Sequence, residues 1–371
     1  MNRILAVLIL LVALCVQGQS QVQASGEAST YVLKTAQTTS PRATNNGNPT
    51  FGWRFDLFLD AKVTDKVFVL VDTRALPDEV INFDYVALRI VNLADLGFNF
   101  QMGKFDMPFG NLADRRFATK DFLYGLPLIY EYRTSLPDQV ATRADVLGSR
   151  GKGVGMRLID LGVYDIGAMV YGDAGKAHYA VAVANGTISS TYVRHLNDNS
   201  DFNKILRFAY TPIIGLTLGV SAAMSAYLSD EGKPLPRDQG SLHYQQLIGD
   251  VDVEFSRERF LFNGEAVYSK WTVPFENEDT DLSAFGYYAE AKYTWFPRFY
   301  TAARVSGLVF SRVQLEGISP RWDNNLVEIE AGVGYHLDRS TLVKLVRRET
   351  RTLEVIGPKD NLTVLQLAVA F

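Results

Sequence analysis

The last ten residues, 362–371, most constrain what this chain can fold into. Phe371, Val369, Leu367, Leu365 and Thr363 form one row, and Ala370, Ala368, Gln366 and Val364 form the other. A period of two belongs to a β-strand, because successive side chains there point to opposite faces. One row is apolar, the other is small or polar, and the sequence ends on an aromatic residue. As the edge of a soluble sheet, such a strand invites pairing with other chains. Paired with the first strand of a closed barrel, its apolar row in lipid, it has no open edge.

The other end of the sequence points to export. Residues 1–24 carry one basic residue, Arg3, then the apolar run 4–16, then Val22-Gln23-Ala24, a small-residue pattern suited to signal-peptidase cleavage. The expected organisation is therefore a removed signal peptide, 1–24, and one outer-membrane barrel domain, 25–371. Cys15 is the only cysteine. Lipidation there would need a smaller residue than Leu14 before it, and the mature chain has no thiol for a disulfide. Beyond residue 24 no apolar run reaches the roughly eighteen residues of a membrane helix. A barrel crosses with alternate apolar residues instead, and the mean hydropathy of −0.01 fits that. The 18 Tyr, 22 Phe and 4 Trp suit interfacial girdles, and a formal net charge of −4 argues against nucleic acid as a partner.

Taken in order, the pattern repeats. A first strand is expected over 29–37. The next is the clearest: Phe51, Trp53, Phe55, Leu57, Leu59 and Ala61 on one face, Arg54, Asp56, Asp60 and Lys62 on the other, broken only by Phe58. Further strands are expected over 67–73, 85–91, 97–105, 153–171, 177–184, from 203, 216–228, 246–256, 260–271, 285–296, 299–313, 327–337, 342–355 and 362–371. Outward rows recur as Leu247, Val251, Val253, Phe255 and as Val327, Ile329, Ala331, Val333, Tyr335. The partner rows are Asp250, Asp252, Glu254 and Glu328, Glu330, His336. Long and short connections alternate, which is how barrels behave when all short turns lie on the periplasmic side. Keeping that alternation makes 153–171 one crossing and brings the tally to sixteen. The fold class is thus all-β, a transmembrane antiparallel β-barrel of 16 strands. A soluble β-sandwich also alternates, but it accounts for neither Phe371 nor the aromatics flanking the short turns, such as Trp295, Phe296 and Phe299.

Between Phe105 and Arg150 the alternation stops. A connection this long in a compact fold is functional or disordered. It mixes Arg115, Arg116, Lys120, Arg133, Arg143 and Arg150 with Asp114, Asp121, Glu131, Asp138 and Asp145, and sets Phe117, Phe122, Leu123, Tyr124 and Leu126 among them. Two readings stand: a solvated extracellular loop, or a third loop folded into the lumen, anchored by its apolar residues, with its cations narrowing and charging the pore.

Gly103-Lys104-Phe105-Asp106-Met107-Pro108-Phe109-Gly110 resembles the G-K/R-F-x-x-P-x-G element of the phosphate-selective porins of O and P type. Asn185-Gly186, and the run 204–207 followed by 212–219, are similar to later parts of that pattern. The resemblance implies a sixteen-stranded, water-filled, homotrimeric channel in the bacterial outer membrane, with an inward third loop. The terminal Phe371 likewise resembles the assembly signal of outer-membrane barrels, which implies the barrel-assembly machinery and outer-membrane lipid as partners. Family members that select anions line the route with dense Arg and Lys. Here the inferred lumen is mixed, with Arg54, Lys62, Arg89, Arg207, Lys292 and Arg304 beside Asp56, Asp60, Asp250, Asp252, Glu254, Glu290, Glu328 and Glu330.

Other chemistries find little support in the residues. The histidines, 178, 195, 243 and 336, have no metal-ligand spacing. His336 with Asp338 could suggest an outer-membrane protease dyad, or, more simply, polar residues near a strand end. Gly151-Lys152-Gly153-Val154-Gly155 lacks the helix that a phosphate loop requires. No catalytic residue, cofactor or metal is expected, and the chain is not read as an enzyme. The expected function is a porin for small hydrophilic or ionic solutes; a surface adhesin or a barrel enzyme is the alternative. The pore-lining candidates are Arg54, Asp56, Arg89, Arg115, Arg116, Lys120, Asp250, Asp252, Glu254, Arg304, Glu328 and Glu330.

Overall fold

Strands that alternate apolar and polar residues must put one row in lipid and the other inside, and their backbone groups must all find partners in neighbouring strands. The computed structural model describes residues 21–36, 47–77, 81–112, 115–160, 164–189, 201–228, 240–275, 278–315, 317–353 and 360–371. Its strands are β1 (Gln21–Thr35), β2 (Thr50–Lys62), β3 (Val67–Ala75), β4 (Asn82–Ile90), β5 (Asn99–Asp106), β6 (Tyr164–Ala174), β7 (Ala177–Ala184), β8 (Asn203–Ile213), β9 (Leu216–Ala226), β10 (Gln245–Arg257), β11 (Phe260–Pro274), β12 (Asp279–Phe296), β13 (Phe299–Phe310), β14 (Leu326–His336), β15 (Thr341–Thr352) and β16 (Asp360–Ala370). Each pairs antiparallel with its neighbours in sequence, and β1 pairs with β16, so the sheet is a closed barrel of 16 strands. Such a barrel, apolar outside, belongs in the bacterial outer membrane.

Closure ends at Gly26 and Phe371, whose backbone groups exchange two hydrogen bonds of 2.9 and 3.0 Å. The Phe371 ring stacks on Phe55, centroids 6.1 Å apart. It fills the space where a Cβ on Gly26 would sit, 2.6 Å from its ring. Residues 1–20 of the expected signal peptide lie outside the described residues, and 21–24 pair with β2 only.

The expected rows hold their faces. Val251, Ile329, Val333, Leu365 and Leu367 are exposed, while Asp250, Asp252, Glu328, Glu330 and Gln366 are buried inside. Phe58, the break in the β2 pattern, faces inward and packs edge-on against Phe117, centroids 5.0 Å apart. The expected bounds shift in several places. The first strand starts at Gln21, earlier than 29, and β12 starts at Asp279, earlier than 285. The 153–171 crossing begins only at Tyr164. Residues 153–160 belong to the preceding connection, where their backbone pairs with other loop segments, as Gly155 N does with Thr134 O at 2.8 Å.

The wall is uneven. β3, β4, β5 and β7 have eight or nine residues, whereas β10, β11 and β12 have 13, 15 and 18. At the low side the described residues of the long connection, 107–112 and 115–160, leave β5 and turn inward. They carry two short helices, α1 (Leu128–Glu131) and α2 (Arg143–Gly148). Met107, Phe109, Leu128, Ile129 and Leu158 of this segment share one buried cluster with wall residues Phe105, Ile205, Ile248, Val267 and Leu308. The lumen-folded reading of the third loop is therefore the observed one.

Two variants test this architecture. Val251→Arg, on the lipid face, should cost about 2–4 kcal/mol if it lies near the bilayer midplane, read from unfolding of the reconstituted barrel in denaturant, with Val251→Ile as an unchanged control. Deleting Phe371 should lower the yield of folded, heat-resistant barrel in outer membranes without reducing export across the inner membrane; equal yields would show that barrel closure does not depend on the terminal ring.

Candidate functional site

A loop inside a barrel has no sheet to pair with, so its polar groups must be met by the wall. The chain enters the lumen through the glycine-bracketed element 103–110. Gly103 has φ +130°, and a Cβ there would stand 2.3 Å from the Val86 carbonyl oxygen. Gly110 has φ +65°, and its Cβ would meet Glu265 Oε1 and Tyr130 Oη at 2.4 Å. Gly103 thus admits a close backbone approach, and Gly110 a left-handed turn that favours glycine. Gly110 N donates to Ser221 Oγ at 3.1 Å, and Tyr130 Oη donates to Glu265 Oε1 at 2.6 Å, fixing the entry against β9 and β11.

The next stretch crosses to the opposite wall. Lys120 N and Asp121 N both donate to Phe117 O, at 3.0 and 2.7 Å, making one helical turn. Glu27 of β1 accepts from Ala118 N at 2.6 Å, from Thr119 N at 2.7 Å and from the Thr119 hydroxyl. Lys344 of β15 donates to the carbonyls of Ala118, Asp121 and Leu123 at 2.9, 2.7 and 2.7 Å. An anion thus meets the amide end of the turn and a cation meets its carbonyl end, the arrangement that peptide dipoles favour. Further along, Tyr124 N donates to Glu330 Oε1 at 3.1 Å, and Arg304 donates to Gly125 O at 2.9 Å. At the outer end, buried Asp323 accepts from Ser135 N at 2.8 Å, Asn324 N at 2.7 Å and Tyr132 Oη at 3.2 Å. Burial pushes its carboxyl up to about 6, against the pull of those donors.

The candidate residues from the sequence separate into three groups. Arg304, Glu330, Glu328, Asp250 and Asp252 face inward but are buried between wall and loop. Arg304 pairs with Glu290 at 3.3 Å and with Glu330; Asp252 holds Arg207 at 2.8 Å; Glu328 accepts from Thr350 at 2.6 Å. Arg115 joins this belt through Glu290 and donates to Tyr288 Oη at 2.7 Å. Of these, Glu330 and Arg304 reach the loop backbone directly, Arg115 belongs to the loop, and Asp252 and Glu328 are held by wall side chains. Asp56, buried beneath Arg54 at 2.7 Å, and Arg89, on Gln101 at 3.0 Å, belong to the β2–β5 wall. Glu254 keeps its inward position on β10. Lys120 is exposed. Arg116 lies over Phe117 and Tyr164, at 5.0 and 4.1 Å from the ring centroids.

A cavity of about 260 Å³ remains between the loop and the β1–β4 wall. Arg54, Arg74 and Arg116 line it, as do Asp84, Asp121, Glu131, Tyr31, Tyr124 and Gln366. Arg74 pairs with Asp84 at 3.3 Å. Sequence reasoning missed Glu27, Lys344, Glu265 and Asp323. Only Lys344 left a sign, a lone cation between Leu342 and Val346 in an inward row. Histidines 178, 243 and 336 stand apart, beside Asp173, Asp279 and Tyr300 respectively, while 195 lies outside the described residues. Asp338 caps its turn through Ser340 N and Thr341 N, both at 2.8 Å. No cluster of metal-ligating side chains occurs among the described residues.

No protein-family model and no curated protein matches this sequence. Solved structures do. An anion-selective porin from Comamonas acidovorans superposes with a TM-score of 0.65 at 11% identity, covering 95% of this chain and 100% of that one. This is the porin fold. OmpT, an outer membrane protein of Vibrio cholerae, gives 0.61 at 10% identity over 96% and 98%. The outer membrane channel DcaP of Acinetobacter baumannii gives 0.59 at 10% over 95% and 97%. At such identities the likeness lies in the backbone, and the charged belt under the third loop of this porin fold is read from its own residues.

The belt predicts unequal sensitivities. Arg115→Gln, which removes one of the two cations on buried Glu290, should destabilise by about 1–3 kcal/mol, whereas Lys120→Gln should stay within about 0.5 kcal/mol. Denaturant midpoints in detergent decide it; similar shifts would remove Arg115 from the support.

Proposed function

We propose that the protein is an outer-membrane channel through which small hydrophilic or ionic solutes diffuse passively. The observation that carries this is the combination of a sixteen-stranded closed wall with a loop anchored across its lumen, beside a cavity lined by charged side chains of both signs. Barrels of this width leave an aqueous interior, and a conduit needs no catalytic group. A homotrimer fits the reading: one solved relative in fold, OmpT of Vibrio cholerae, is described in a trimer form.

The residual passage carries both signs. Arg54, Arg74 and Arg116 face it along with Asp84, Asp121 and Glu131. Arg54 is held by Asp56 and Arg74 by Asp84, which leaves Arg116 as the cation whose partners are aromatic faces. A densely cationic route, as in the phosphate-selective porins that residues 103–110 resemble, is not what these side chains make. We read the channel as weakly ion-selective, with Arg116 as its main anion-favouring charge.

The test is conductance of the purified protein in a planar bilayer. Wild type should form ohmic channels, and Arg116→Gln should move the reversal potential in a salt gradient toward cations, because a charge in a narrow passage acts more strongly than on an open surface. Absence of conductance would sink the channel reading. An unchanged reversal potential would take Arg116 out of the conduction path.

A further inference from the structure

A channel has no use for charge on its lipid-facing rows, yet Lys34, Arg347, Glu349 and Arg351 stand there. Each pairs across the sheet with an outward neighbour: Arg347 with Ala331 and Thr363, Thr363 with Lys34, Glu349 with Ile329 and Asn361, Arg351 with Val327. All four side chains are substantially solvent-exposed, Arg347 at 50% and Arg351 at 72%. Glu349 lies 3.6 Å from both arginines. Among the described residues, three cations against this one carboxylate leave two positive charges without a counter-ion on a surface that meets lipid. A cation facing lipid is destabilising unless an anion meets it.

The cations sit at the end of a groove. Ala291, Ala303, Ala331, Arg347, Thr363 and Lys34 are successive register partners from β12 to β1. At about 4.8 Å between strands, these five steps span about 24 Å. Ridges of larger residues flank the row: Tyr293, Val333 and Leu345 on one side, Val305 and Ile329 on the other. Over the alanines lies an apolar cavity of about 660 Å³. A second cavity of about 430 Å³ is polar, lined by Lys34, Thr35, Asn48 and Asn361. Arg347 and Thr363 line both, so the two form one amphipathic trough. Arg347 donates to Thr363 Oγ1 at 2.8 Å, which fixes its guanidinium at the junction. Lys34 and Asn361 lie beside long connections, hence toward the cell exterior, and the apolar part descends into the bilayer.

We propose that this face binds a lipid of the outer leaflet whose phosphate headgroup carries a net negative charge, with its headgroup on Arg347 and Lys34 and an acyl chain along Ala331, Ala303 and Ala291. The match is of charge and of shape: guanidinium and ammonium for phosphate oxygens, and an elongated apolar trough for a chain. The site is independent of the passage through the lumen.

The test uses the full barrel in neutral detergent, titrated with dimyristoyl phosphatidic acid or dimyristoyl phosphatidylcholine and followed by native mass spectrometry. Wild type should retain the anionic lipid and not the zwitterionic one, and inorganic phosphate should fail to compete. The double variant Lys34→Gln, Arg347→Gln should weaken binding about tenfold or more; Ala331→Phe, which fills the trough and keeps both cations, should also weaken it. Arg347→Lys should retain most binding, and heat-resistant migration verifies the fold of each variant. Equal retention of both lipids, or unchanged affinity in both groove variants, would overturn the proposal. So would an oligomer that dissociates on Ala331→Phe, which would assign the face to a second copy of the chain.

Discussion

Backbone hydrogen bonding without water is the constraint on which the rest depends. In hydrocarbon each unpaired amide or carbonyl is costly, so a membrane sheet must close on itself. Here closure is made by β1 and β16, whose paired rows run from Glu27 with Ala370 to Thr35 with Leu362. Phe371 seals the last pair by stacking on Phe55 over a glycine that leaves it room. Once the wall is closed, its apolar row is fixed to lipid and every inward row becomes a surface on which something polar can be built.

The third loop meets the same constraint in a different way. It lies inside the wall without strand partners, so side chains replace the sheet. Glu27 and Lys344 grip one turn from its two ends, Glu330 and Arg304 hold the backbone beyond it, and Asp323 gathers the outer part. Carboxylates take the amides and cations take the carbonyls, so the charges that grip the loop are met by its backbone dipoles. Removing a buried charge of this kind leaves groups unsatisfied rather than merely deleting a contact.

The strands were legible because period two is a local property, visible residue by residue from Phe51 to Ala61 or Val327 to Tyr335. Even the break at Phe58 carried information, since an aromatic in an inward row needs an apolar partner inside, and Phe117 supplies it. What stayed hidden was long-range. The inward row of β14 identifies Glu328 and Glu330 as lumen-facing, but nothing local says that a loop some two hundred residues earlier will cover them. The same holds for Glu27 and Ala118, whose contact depends on where the loop crosses. The strand limits shifted for a related reason: residues 153–160 are extended yet pair with the loop, so extension alone did not make them wall.

Charge composition therefore misleads about a lumen. Counting inward side chains gives an excess of carboxylates over β10, β12 and β14, which would suggest a cation route. Asp250, Asp252, Glu290, Glu328 and Glu330, however, are all buried. In the channel proposed above, a solute would meet instead the side chains that the loop leaves uncovered along β1–β4, where Arg54 and Arg74 are already paired and Arg116 lies against two rings. On that proposal, selectivity would follow from which charges the loop takes up as its own scaffold, since only the remainder could act on ions.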